Sequence, residues 1–144
     1  MTFRYFSVFP LSFVLAFAGC SGETSDVEQQ SDSGSMEETV AEIVDLRNKI
    51  RDGFASGDVD AAHGPLHEVG DKLESLSKLA EKSSFREEDK QVIEEHINIL
   101  FAAFGEVDKT LHGQDGSTYD EEADTIDAAM DKLVRIVKGV DDSA

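Results

Sequence analysis

The chain predicts an all-α protein, an antiparallel up-down-up-down four-helix bundle over residues 36–141. Three observations predict it. From Met36 onward apolar residues recur at three- and four-residue spacing in four separate segments, with few strand signals and only one proline, Pro65. Three of the segments open on the same Ser/Thr-x-x-Glu pattern, in which a hydroxyl and a carboxylate satisfy each other's free amides at a helix start. The connections are short, and short connections make successive helices antiparallel neighbours. A domain of this size can bury one modest core.

The first segment runs from about Met36 to Ser56. Ser35-x-x-Glu38 opens it, Gly57 closes it, and Val40, Ile43, Arg47, Ile50 and Phe54 share one stripe. The second runs from about Asp58 to Ser83 with Leu66, Val69, Leu73, Leu76 and Ala80 inward and Leu79 alongside, and Pro65 interrupts its first turns. The third opens on Ser84-x-x-Glu87 and carries Ile93, Ile97, Leu100, Phe104, Val107 and Leu111 before Gly113 ends it. A Gly/Asp/Ser loop over residues 113–117 leads to the fourth, which starts at Thr118-x-x-Glu121 and presents Ile126, Met130, Leu133, Val137 and Val140. Packing accounts for these stripes. Phe54, Phe101 and Phe104 are assigned to the core or its edge.

Ahead of the bundle, Arg4 and an apolar run from Tyr5 to Phe17 form an export signal too short to span a bilayer as a stable helix. Phe17-Ala18-Gly19-Cys20 follows, and Cys20 is the only cysteine in the chain. Small residues before a cysteine at the end of an apolar run resemble the lipobox of bacterial lipoproteins, with Phe17 where that family usually has Leu, Val or Ile. The resemblance implies that residues 1–19 are removed, that Cys20 is lipidated and becomes the mature N-terminus, and that Ser21 directs the protein to the outer membrane, facing the periplasm. Ala16-Phe17-Ala18 also satisfies the rule for an ordinary signal peptidase cutting before Gly19. With no other cysteine there is no internal disulfide, and stability must come from packing.

The formal net charge is −18, and removal of Arg4 with the leader takes it to −19. Nucleic acid and bare anionic lipid are poor partners for such a surface. The membrane is therefore expected as a partner only through the lipid. Residues 21–35 hold one valine among small, polar and acidic side chains, too little apolar surface to fold, and are expected to form a flexible tether after Cys20.

The histidines are the one candidate chemistry. In an up-down bundle, His63 and His67 near the start of the second helix and His112 in the last turn of the third come to the same end, whereas His96 lies about 24 Å down the axis from His112. That end also gathers Asp58, Asp60, Glu68, Asp108, Tyr119, Asp120 and Glu121. Glu68 and Asp108 are the carboxylates marked as ligands or orienting groups. Imidazole with carboxylate suits Zn²⁺, Cu²⁺ or Ni²⁺ better than Ca²⁺.

Two plainer explanations stand beside this one. Gly64-Pro65 lies between His63 and His67, and a helix starting with Pro65 at its first position and Gly64 as its cap would leave His63 outside. His112 near a helix C-terminus is also explained as a charge favoured by the helix dipole. The segment is not a His-Glu-x-x-His motif, since Glu68 follows the second histidine.

An exported acidic bundle is similar in architecture to the periplasmic cytochromes of the b562 and c-prime type. Their haem motif is not matched: the fourth helix has neither Cys-x-x-Cys-His nor any histidine, and only Met36 could stand in for a methionine ligand. No haem is expected. No Ser/His/Asp or Cys/His set suggests an enzyme either. The functional expectation is a non-enzymatic envelope lipoprotein, an interaction or structural module that docks an envelope protein. The alternative is a periplasmic metal-binding module using the histidine end, and a cytochrome-like haem protein comes third.

Overall fold

The computed structural model describes residues 25–140, with side chains from residue 35 onward. The export signal, Cys20 and residues 21–24 lie outside the described residues, as does the end of the domain at 141. Four helices make up the fold: α1 (Ser25–Ser56), α2 (Val59–Lys82), α3 (Glu87–Leu111) and α4 (Tyr119–Val137). Each packs on its two neighbours in the order α1–α2–α3–α4–α1, and among the described residues the backbones of neither diagonal pair approach that closely. The all-α four-helix bundle follows directly. No described helix is long and apolar enough to cross a membrane.

Within the ring, Met36, Val40, Ile43, Leu46 and Ile50 of α1 meet Leu66, Val69, Leu73 and Leu76 of α2. Ile93, Ile97, Leu100, Phe104 and Val107 of α3 and Ile126, Met130, Leu133 and Val137 of α4 complete one continuous core. Two stripe residues and one assigned to the core or its edge differ from expectation. Leu46 rather than Arg47 fills the first stripe, because the Arg47 Nη1 reaches out to Asp127 Oδ1 at 2.6 Å across the α1–α4 seam. Phe101 is 36% exposed, one position off the buried face occupied by Leu100 and Phe104, and Val140 lies beyond the end of α4, 56% exposed.

The helix ends explain the remaining differences. Thr118 caps α4 as expected: its hydroxyl accepts from the Glu121 amide, and the Glu121 carboxylate accepts from the Thr118 amide at 2.8 Å. That amide holds the Glu121 carboxyl below its ordinary pKa, and the Thr118 hydroxyl adds to the shift. The other two capping boxes do not form. α1 starts at Ser25, so Ser35 lies inside the helix, where its carbonyl accepts from the Thr39 hydroxyl at 2.9 Å. The backbone of the expected tether is thus helical from Ser25, with no proline to stop it and the good helix formers Glu28, Gln29 and Gln30 within it.

At the α2–α3 turn, Ser83 is buried and bonds back to the Ala80 carbonyl at 2.8 Å, and α3 starts after Arg86, whose side chain makes no cap. Three acidic residues in the first turn of α3, Glu87, Glu88 and Asp89, complement the helix dipole in place of a cap.

Candidate functional site

α2 begins at Asp58, whose carboxylate accepts from the Ala61 amide at 3.1 Å. The helix then continues through Pro65. A proline in a helix interior removes one backbone hydrogen bond and crowds the residue before it. Here that residue is Gly64, which has no Cβ to be crowded, and so the helix survives. His63 therefore lies inside α2, and the arrangement with Pro65 at the first helical position is not adopted. His63 and His67 sit one turn apart on the same face.

On the other flank of that turn, Ala62 is fully buried against α1, where Gly53 allows close approach: a Cβ on Gly53 would lie 3.0 Å from the Cβ and the amide nitrogen of Ala62. With Ala62 locked inward, the two histidines are directed along the α2–α3 seam. From the facing helix comes His112, the residue that closes α3. Its position is fixed by the turn that follows, in which the Gly113 amide bonds the Thr110 carbonyl at 3.0 Å and the Gln114 amide bonds the Lys109 carbonyl at 2.8 Å. Gly113 adopts φ 70°, the left-handed conformation this ending requires.

The three imidazoles form one cluster. Ring centroids are 4.7 Å apart for His63 and His67, 5.1 Å for His63 and His112, and 5.9 Å for His67 and His112. One ring nitrogen from each lies within 4.8 Å of the others. The Nε2 atoms of His63 and His67 are 2.9 Å apart, so one donates and the other accepts. Asp108, one turn before His112, places Oδ1 3.5 Å from the His112 Nε2 and 4.0 Å from the His67 Nε2. That oxygen is shielded from solvent and has no hydrogen-bond partner.

The other candidates at this end have different duties. Glu68 is exposed and outside the cluster, and its charge acts on Lys72, whose ammonium is held in its charged form chiefly by a 2.6 Å bond to Glu42. Asp58 and Glu121 are engaged in capping, and Tyr119 is buried with its ring stacked on Phe54 at 5.8 Å and 16°. Burial pushes the Tyr119 phenol above its ordinary pKa, and the Asp127 carboxylate adds to the shift. His96 lies outside the cluster, with its Nδ1 2.8 Å from the Val92 carbonyl one turn back. The Gly53–Ala62 contact was not singled out in the sequence, where its only trace is a pair of small residues flanking a predicted turn.

Chemically, three neutral imidazoles with converging nitrogens can hold a borderline divalent cation. Two of the rings are open to solvent, so an ion could enter without the bundle opening. None of the three histidines belongs to the core, which closes without them. No protein-family model, curated protein or solved structure matches the chain.

Proposed function

We propose that this is an exported, lipid-anchored envelope protein whose bundle binds a divalent transition-metal ion, Zn²⁺, Cu²⁺ or Ni²⁺, on His63, His67 and His112. One observation carries the proposal: two helices from opposite sides of a seam bring three imidazole nitrogens within 4.8 Å of one another. Protonated imidazoles repel, and neutral ones gain from one another here only the hydrogen bond between His63 and His67. A shared cation gives such a cluster a purpose that packing does not, since the core lies elsewhere.

The acidic chain adds a long-range attraction for cations, which raises the rate of capture more than the affinity. Anchoring rests on Phe17-Ala18-Gly19-Cys20 and its resemblance to the lipobox. Two acyl chains hold a protein to a bilayer where one would not. The role is that of a binding protein and not of an enzyme. Elemental analysis of the protein, purified from membranes without chelator or histidine tag, tests it. Near-stoichiometric Zn, Cu or Ni that is lost in His67→Ala and kept in His96→Ala is the expected result, and equal losses from both variants would overturn it.

A second reading, docking of an envelope protein, is favoured by a groove on the α1–α4 seam. Val40, Val44, Met130, Val134 and Val137 line it, between the charges of Glu37, Asp45 and Lys138. A photo-crosslinker at Val44 should then capture one discrete partner that a crosslinker at exposed Glu95 does not, and substitution of all four histidines should leave the capture intact.

A further inference from the structure

We infer that Asp108 supplies a fourth donor to the cation, so that the site is a four-coordinate set of three imidazole nitrogens and one carboxylate oxygen spanning α2 and α3. This rests on the metal-binding reading above and adds the coordination of the ion to it. Three independent features converge on Asp108.

The first is spacing. His63 and His67 are four residues apart on α2, and Asp108 and His112 are four residues apart on α3. Side chains four apart on a helix stand one above the other, and α2 and α3 run antiparallel, so two such pairs face each other across one seam. Each helix contributes two donors.

The second is the state of the carboxylate. Asp108 Oδ1 is shielded from water without a hydrogen-bond partner, the only carboxylate oxygen among the described residues in that condition. The side chain as a whole is 34% exposed, but this oxygen is turned away from water, where a hydrogen bond or a cation would satisfy it. The ring nitrogens of His112 and His67 lie 3.5 and 4.0 Å from it. Capping does not occupy it.

The third is size. Zinc holds nitrogen and oxygen donors at about 2.0–2.2 Å, which places the donors of a tetrahedron roughly 3.3 Å from one another. The separations of 2.9 Å (His63–His67), 3.5 Å (Asp108–His112) and 4.0 Å (Asp108–His67) straddle that value. Asp108 stands just outside the set of donors that all lie within 4.8 Å of one another, so ligation requires its carboxylate to swing toward His63 as the exposed rings turn.

The donor set also defines the cargo. It contains no sulfur, which turns it away from Cu⁺, and it has too few oxygens for Ca²⁺ or Mg²⁺. Borderline divalent ions remain, namely Zn²⁺, Cu²⁺, Ni²⁺ and the laboratory probe Co²⁺. One carboxylate cancels half the charge of such an ion.

Co²⁺ and Zn²⁺ titrations of the full-length protein in detergent, followed by visible absorption and calorimetry, test the assignment. The isosteric Asp108→Asn variant should weaken Zn²⁺ binding by about tenfold or more and should replace the intense visible bands of four-coordinate Co²⁺ with an altered or weaker spectrum. Its far-ultraviolet circular dichroism without metal should match the parent. A weakened affinity with an unchanged Co²⁺ spectrum would overturn direct ligation. Parental affinity and spectrum in Asp108→Asn, with both lost in His67→Ala, would overturn the fourth donor and leave the three-histidine site standing. Parental binding in a triple His63→Ala/His67→Ala/His112→Ala variant would overturn the metal reading itself.

Discussion

Two glycine-to-alanine substitutions, chemically identical and both within helices, should move stability in opposite directions. Alanine is favoured over glycine in a helix interior by about 1 kcal/mol. At Gly105 in α3, an added Cβ would meet nothing within 4 Å, so Gly105→Ala should realise that gain in full. At Gly53 the new Cβ would lie 3.0 Å from both the Cβ and the amide nitrogen of Ala62 and 3.2 Å from its Cα. Two of those three atoms are backbone, which cannot swing aside.

Relief at Gly53 therefore requires the backbones of α1 and α2 to part by a few tenths of an ångström, and overpacking of this kind costs about 1–3 kcal/mol. Set against the propensity gain, Gly53→Ala should lose roughly 1 kcal/mol, while Gly105→Ala gains about as much. With about 4–8 °C per kcal/mol for a domain near this size, the two melting temperatures should straddle the parent by several degrees each. Thermal denaturation followed by circular dichroism on parent and both variants measures it. A Gly53→Ala protein as stable as Gly105→Ala would refute the claim that α1 and α2 touch at Gly53 and Ala62, and with it the account of how His63 is aimed.

Other predictions concern the cap, the core, the surface charge and the anchor. Thr118→Ala should cost about 1 kcal/mol by removing the α4 cap, read as a lower melting temperature. The Glu121 carboxyl is depressed by that cap, so its contribution is full above the unfolded value, about 4.3, and is lost as pH falls through the folded value. With a charge near −19, stability at pH 7 should rise with added salt as self-repulsion is screened, and a melting temperature flat in salt would contradict the repulsion. Leu73→Ala, at a fully buried position, should cost about 2–5 kcal/mol in urea denaturation, and a smaller loss would mean that the core collapses around the gap. Cys20→Ala should release the protein from the membrane fraction or leave its leader uncleaved; a processed form still on the membrane would count against lipid anchoring.

The fold was largely legible because periodicity and connection length speak to topology, and topology alone brought His63, His67 and His112 to one end. What sequence could not resolve was local competition at the helix ends. Ser35-x-x-Glu38 and Ser84-x-x-Glu87 carry the same letters as Thr118-x-x-Glu121, yet only the last caps a helix. A capping box acts only where a helix must start, and Ser35 lies in a stretch with nothing to prevent helix before it. Pro65 was a strong breaker signal weakened by one neighbour, Gly64, whose missing Cβ removes the clash. The isolation of Asp108 Oδ1 is a matter of three-dimensional shielding and left no mark in the pattern of residues.

The course of α1 bears on where any bound ion would meet its surroundings. The chain enters the bundle beside Met36 and runs to Ser56 before turning into α2, about 30 Å at 1.5 Å per residue. The histidines belong to the far end of that path. Were the chain anchored through Cys20 as proposed, the length of that helix would let the imidazoles stand clear of the headgroup layer, where anionic phosphates compete for the same divalent ions.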